Sequence, residues 1–186
     1  NLDGSDQAMK LTPNNMDAVT PVWCIDPNNL NGPGKIYFGF KDDVVKTGIA
    51  SVNPDGTGLN MLFKENFSGT ITGEPSCSPS GLELAFSTSR DGNLEVYLMN
   101  IDGSNQRNLT NNSAADGQPQ WSSDGKIYFE TDRDTPGTGE SNFYWIKSDG
   151  TGLTRLTNLA GVEVDLSLSS DLTRVLFTNG PVIGPF

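Results

Sequence analysis

The chain has 186 residues, 21 Gly and 11 Pro among them, and only 34% are apolar, which suits many turns and short core segments and excludes an enzyme of several lobes. Twelve basic against 23 acidic residues leave a net charge of −11, which repels phosphate backbones and argues against a nucleic-acid partner. With no His and two Cys, Ser-His-Asp, Cys-His and zinc chemistry have no ligand or base to work with.

In chain order, the first 15 residues hold an Asp-Gly turn at Asp3 and a polar strand ending in Leu-Thr. A unit over 16–66 begins with TPVWCID around Trp23. It turns, alternates through GKIYFGF around Phe38, continues as KTGIASV and reaches a second Asp-Gly at Asp55. The unit over 67–112 repeats this plan with EPSCSPSG around Cys77, GLELAFSTS around Phe86, LEVYLMN, and Asp102 before NLT. In 113–158 the same marks are QPQWSSDG around Trp121, GKIYFETD around Phe129, FYWIKS, and Asp149 before RLT. Residues 159–186 supply only DLSLSSDL around Leu168 and TRVLFTNG around Phe177. The aspartates step by 52, 47 and 47 residues and the phenylalanines by 48, 43 and 48. A repeat near 47 residues, written in period-2 strands between Gly, Asp, Asn and Pro turns, predicts four-stranded antiparallel sheets.

One such sheet buries too little apolar surface alone, so the units must stack. The expected fold is an all-β, small β-propeller of four four-stranded antiparallel blades. One blade is shared, with 159–186 completed by 1–15. The alternative is a four-repeat fragment of a larger propeller. The absence of an initial Met and of a basic-plus-apolar leader predicts a processed or trimmed chain, and no apolar run approaches the roughly 20 residues that span a bilayer as a helix.

The stretch from Glu74 to Thr110, EPSCSPSGLELAFSTSRDGNLEVYLMNIDGSNQRNLT, resembles the TolB-like (WD40-like) propeller repeat family at nearly every motif position, with Cys77 where the repeat expects Trp. QPQWSSDGKIYF and IKSDGTGLTRLT match similarly, whereas PNNLNGPG departs from the tight turn and the last unit lacks both Trp and Gly. The resemblance implies a bacterial or archaeal exported protein, periplasmic or extracellular, whose propeller is a docking surface.

The Asp-Gly pairs read as turns rather than calcium loops, since Asp caps its own turn and Gly takes positive φ. Trp23 and Trp121 read as inter-blade core. The loop TDRDTPGTGESN carries Asp132, Asp134 and Glu140, without the fixed spacing of a calcium loop, and reads as a solvated hairpin tip. Asp17, Glu74, Asp116 and Asp165 precede the inner strands and are candidates for an acidic ring at a channel mouth, suited to a cation or a basic peptide. Cys24 and Cys77 lie on neighbouring inner strands and point towards each other's blades, which predicts either a disulfide or a close thiol contact. Sequons at Asn66, Asn108 and Asn111 are candidate glycosylation sites.

With no nucleophile-base pair, the expected function is a non-catalytic extracytoplasmic scaffold that binds a protein or a glycan, with no catalytic residue, metal or cofactor. The competing expectation is a structural subunit that assembles with copies of itself, as filaments, by strand exchange or face packing.

Overall fold

A computed structural model describes residues 10–26, 31–42, 46–65 and 72–181, and every regular element there is a β-strand. Blade I is β1 (Met16–Cys24), β2 (Lys35–Asp42), β3 (Thr47–Val52) and β4 (Asn60–Lys64). Blade II is β5 (Thr72–Cys77), β6 (Glu83–Thr88), β7 (Glu95–Asn100) and β8 (Arg107–Asn108). Blade III is β9 (Asp116–Trp121), β10 (Lys126–Thr131), β11 (Asn142–Lys147) and β12 (Thr154–Arg155). Among the described residues blade IV has two strands, β13 (Val162–Leu168) and β14 (Val175–Gly180). All pairings are antiparallel between strands consecutive in the chain, the arrangement of a β-propeller. Residues 1–9, Asp3 among them and expected to help complete blade IV, lie outside the described residues, as does the candidate glycosylation site Asn66.

The Asp-Gly turns are built as their sequence demands. The Asp55 carboxylate accepts from the Thr57 amide at 2.9 Å and the Thr57 hydroxyl at 2.7 Å. Asp102 with Ser104 and Asp149 with Thr151 repeat both bonds. Gly56, Gly103 and Gly150 follow at φ of 83°, 89° and 82°, where a Cβ is strained. These hydrogen bonds hold all three carboxyls below their usual range.

Each blade has a leading face, towards the blade before it, and a trailing face. Between blades I and II, Tyr37 and Ile49 of the trailing face pack with Leu84, Phe86, Tyr97 and Met99 of the leading face. Between II and III, Ala85, Val96 and Leu98 meet Ile127, Phe129, Tyr144 and Ile146, with Trp121 and Leu109 against them. A third cluster, Phe38, Phe40, Ala50 and Val52, forms the leading face of blade I and is covered by Leu11 and Met16. Leu11 thus sits on blade I much as Leu109 sits at the II–III interface.

The two end faces differ from the interior ones. Trp23, expected in the inter-blade core, is 60% exposed, because no described element covers its side of blade I; Trp121 has blade II beside it. Leu176 of blade IV is 75% exposed, although its counterparts Tyr37 and Ala85 are buried against the next blade. Blade IV is held to blade III by the Phe143–Phe177 ring contact, centroids 5.7 Å apart. Phe129→Ala is therefore expected to cost about 3–5 kcal/mol, and Phe177→Ala clearly less because its ring is only half-buried; urea unfolding midpoints of the two variants check the order.

Candidate functional site at the axial mouth

The inner strand of every blade carries an irregularity in its ladder, between Val19 and Val22, Gly73 and Ser76, Gly117 and Gln120, and Val164 and Ser167. One non-glycine residue in each takes positive φ: Thr20 at 47°, Glu74 at 56°, Gln118 at 51° and Asp165 at 59°. Such bulges re-aim a side chain, and backbone strain repeated at equivalent positions marks a site rather than an accident. In the first three blades the next residue is proline: Pro21, Pro75 and Pro119.

These residues are wired blade to blade. The Thr20 hydroxyl accepts the Glu74 amide at 3.0 Å. One Glu74 carboxylate oxygen accepts the Gln118 amide at 2.9 Å and the Ser87 hydroxyl at 2.6 Å. The Gln118 side-chain oxygen accepts the Asp165 amide at 3.2 Å. The result is a relay in which each axial side chain receives the N–H of its counterpart in the next blade. The three prolines, the four relay residues and Gln120 line a cleft of about 400 Å³. Gln120 Oε1 is buried in that wall with no hydrogen-bond partner. A neighbouring cleft of about 250 Å³ gathers Glu74, Glu130, Asp132 and Glu140. Burial raises the Glu130 carboxyl above its usual range; a Ser141 hydrogen bond opposes this, and the charges of Glu74, Asp165 and Asp132 add to it.

Of the four carboxylates expected at the mouth, the structure brings Glu74 and Asp165 there and leaves the other two elsewhere. Asp17 is exposed on β1 opposite Lys41. Asp116 is fully buried two residues before Gln118 and accepts the Arg133 guanidinium through both oxygens, at 3.0 and 3.1 Å. A shift of two residues along a bulged strand is enough to move a carboxylate from channel to core.

Sequence reading missed this buried polar layer, although the spacing Thr-x-Arg-Asp at 88–91 and 131–134 displays it. Arg90 and Arg133 each donate to the threonine two residues earlier and stack over Tyr97 and Tyr144 respectively. Asp91 and Asp134 accept those tyrosine hydroxyls. Arg90 Nη2 lies 2.8 Å from Glu65 of blade I, which ties the two blades together. Glu163 matches Asp116 in register, pairing with Asn179 as Asp116 pairs with Thr131, but Pro181 stands where the arginine would be. Its Oε2 accepts the Thr157 hydroxyl, and its buried Oε1 has no partner.

The remaining candidates fall as follows. Cys24 and Cys77 are joined as a disulfide across blades I and II, with Cα atoms 5.9 Å apart. Asp132 accepts the Ala115 amide at 2.8 Å, while Asp134 meets Tyr144 and Arg155, so these two loop carboxylates serve local structure. Among the described residues no three His, Cys, Asp or Glu side chains are placed to share a metal ion. The Asn108 side-chain oxygen Oδ1 accepts the Asn111 backbone amide, and the Thr110 hydroxyl of the same sequon donates to Glu95. Leu168 is half-buried; Phe38, Phe86 and Phe129 are buried.

Stacked antiparallel blades with a bulged, proline-marked inner strand in most of them define a β-propeller with an axial mouth. The chain belongs to the TolB beta propeller domain family, whose model matches residues 1–181. It is 35% identical over 172 residues to a protein TolB homolog of Chlorobium luteolum, covering 90% of this chain and 38% of that one. The Tol-Pal system protein TolB of Geobacter sulfurreducens is 34% identical over 68 residues, 37% of this chain and 15% of its own length. The crystal structure of TolB from Acinetobacter baumannii superposes with a TM-score of 0.70 at 23% identity, over 89% of this chain and 38% of that one. The chain spans about half or less of the length of the curated relatives it matches. No helix among the described residues is long and apolar enough to cross a membrane.

The two buried carboxylates make opposite predictions. Asp116→Asn strips Arg133 of its counter-charge and is expected to destabilise the fold by about 3 kcal/mol or more, read as a lower urea midpoint. Glu163→Gln replaces a buried carboxylate that has an unpartnered oxygen, and is expected to leave the midpoint unchanged or raise it. Burial, reinforced by Asp26, raises the Tyr37 hydroxyl to about 12, and burial with the Asp91 hydrogen bond raises Tyr97 to about 12. Because the folded state holds these protons more tightly, the stability they contribute is present below about pH 10 and lost as pH climbs towards 12. Tyr37→Phe and Tyr97→Phe should flatten that alkaline decline when midpoints are measured between pH 9 and about 12.

Proposed function

We propose that the protein is a non-catalytic, extracytoplasmic scaffold of the TolB type that binds a protein partner at its axial mouth. The observation that carries this is the cleft of about 400 Å³ at the axis, lined by the four positive-φ residues Thr20, Glu74, Gln118 and Asp165 of successive blades and by Gln120. Pro21 gives exposed apolar contact, with Pro75 and Pro119 buried behind the cleft wall, and Glu74 and Asp165 favour a partner with N–H or cationic groups. A strand or loop of a protein fits that chemistry better than a phosphate or an anionic glycan. Relatives named for the Tol-Pal system support an envelope location and a protein partner.

The alternative, a four-repeat portion of a larger TolB-like propeller, is favoured by the exposed faces at Trp23 and Leu176 and by the greater length of the relatives. It leaves the mouth unchanged as the binding face.

Titration of the chain with the Pal component of a Tol-Pal system tests the main reading, followed by calorimetry. Binding is expected, weakened about tenfold by Gln120→Leu or Asp165→Asn. Pal binding that ignores both substitutions overturns the mouth as the site, and no binding to Pal removes the Tol-Pal partner.

A further inference from the structure

We infer that a cleft between blades I and II, apart from the axial mouth, is a second binding site that takes a neutral sugar ring. The cleft has a volume of about 230 Å³ and lies between the trailing face of blade I and the turn that follows β7 in blade II. Blade II shows the same position closed. There the cross-strand pair Ala85 and Leu98 is fully buried and packed among side chains of blade III. In blade I the equivalent pair is Tyr37 and Ser51. Both line the cleft, Tyr37 at 5% exposure and Ser51 at 2%. Among the described residues neither hydroxyl has a hydrogen-bond partner, at a depth where polar groups are nearly always bonded. Lys35, half-buried in the same wall, has no ion pair there either, whereas at its position Glu83 pairs with Arg107 and Lys126 with Asp124.

The wall selects the occupant by charge and size. Asp26 stands with Lys35 on blade I, and Asp102 faces them from blade II. An anion would meet a carboxylate and a cation would meet the ammonium, so neither sign alone suits the cleft. Sugar hydroxyls accept from an ammonium and donate to a carboxylate, and they can do both with Tyr37 and Ser51. The C–H faces of the ring suit Leu62 and Ile101, which complete the wall. Sites for drug-sized ligands run to roughly 300–1,000 Å³, so this smaller one holds about one ring. Burial keeps the Tyr37 phenol protonated, and therefore a donor, throughout the neutral range.

An NMR titration of the full chain with glucose, galactose, N-acetylglucosamine and maltose reads the site through the amides of Ser51, Asn60 and Ile101. At least one sugar is expected to bind with a Kd of about 1 mM. Tyr37→Phe and Ser51→Ala each remove one hydroxyl, and each is expected to weaken binding about tenfold. Ser51→Leu copies Leu98 and is expected to abolish it by filling the cleft. Asp165→Asn, at the axial mouth, is expected to leave sugar binding unchanged, which separates this site from that one. Tighter binding of maltose than of glucose assigns the end of a glycan, and equal binding assigns a free sugar. No binding of any of the four sugars overturns the inference. So does binding that ignores both Tyr37→Phe and Ser51→Ala, or glycine displacing the sugar, since a zwitterion would then satisfy the wall.

Discussion

A blade of this protein has two apolar faces and one layer of backbone, so it can leave water only by lying between two others. That constraint explains why the cores are inter-blade clusters rather than centres of sheets, with Phe86 and Phe129 at their middles. It also explains the gradient in burial. Blade II is covered on both faces and its two middle strands are almost wholly buried, whereas blade IV, touched on one face by described elements, has its second strand largely in solvent. The hydrophobic effect scales with the area withdrawn from water, so the chain is held most firmly in the middle of the stack.

Polar groups add direction to that packing. Apolar faces alone would tolerate sliding, but the axial relay and the Arg90–Glu65 pair fix one blade's height against the next. Each bond crosses an interface in the same sense along the chain, which gives the stack a polarity. The strained φ values at Thr20, Glu74, Gln118 and Asp165 are the local cost of turning those side chains and amides towards their neighbours. The same bulges open Pro21 and Gln120 to the cleft, so one backbone device both builds the stack and forms the mouth.

The fold was legible because turn chemistry is local. Asp55, Asp102 and Asp149 cap the turns their own sequence specifies, and Phe38, Phe86 and Phe129 hold equivalent buried places. The approach of Cys24 to Cys77 followed from repeat position alone. What the sequence hid depended on register. Asp116 and Glu74 look alike at the start of an inner strand, yet a two-residue offset separates a buried ion pair from a cleft wall. Trp23 and Trp121 share a motif and differ in exposure because burial belongs to the neighbouring blade, which no local pattern reports. The arginine layer was written in the sequence as Thr-x-Arg-Asp, but its meaning required knowing which carboxylate faced it.

The bridge between Cys24 and Cys77 has a consequence for how the molecule comes apart. It staples blades I and II covalently, whereas blade IV is held to blade III by one aromatic contact and a few hydrogen bonds to Gly161, Glu163 and Asp165. Thermal opening should then travel in one direction: the amides of β14 exchange with solvent first, blade III loosens next, and the cross-linked pair stays closed until the rest has melted. Reduction would erase that asymmetry, turning a ratcheted sequence of openings into fraying from both ends.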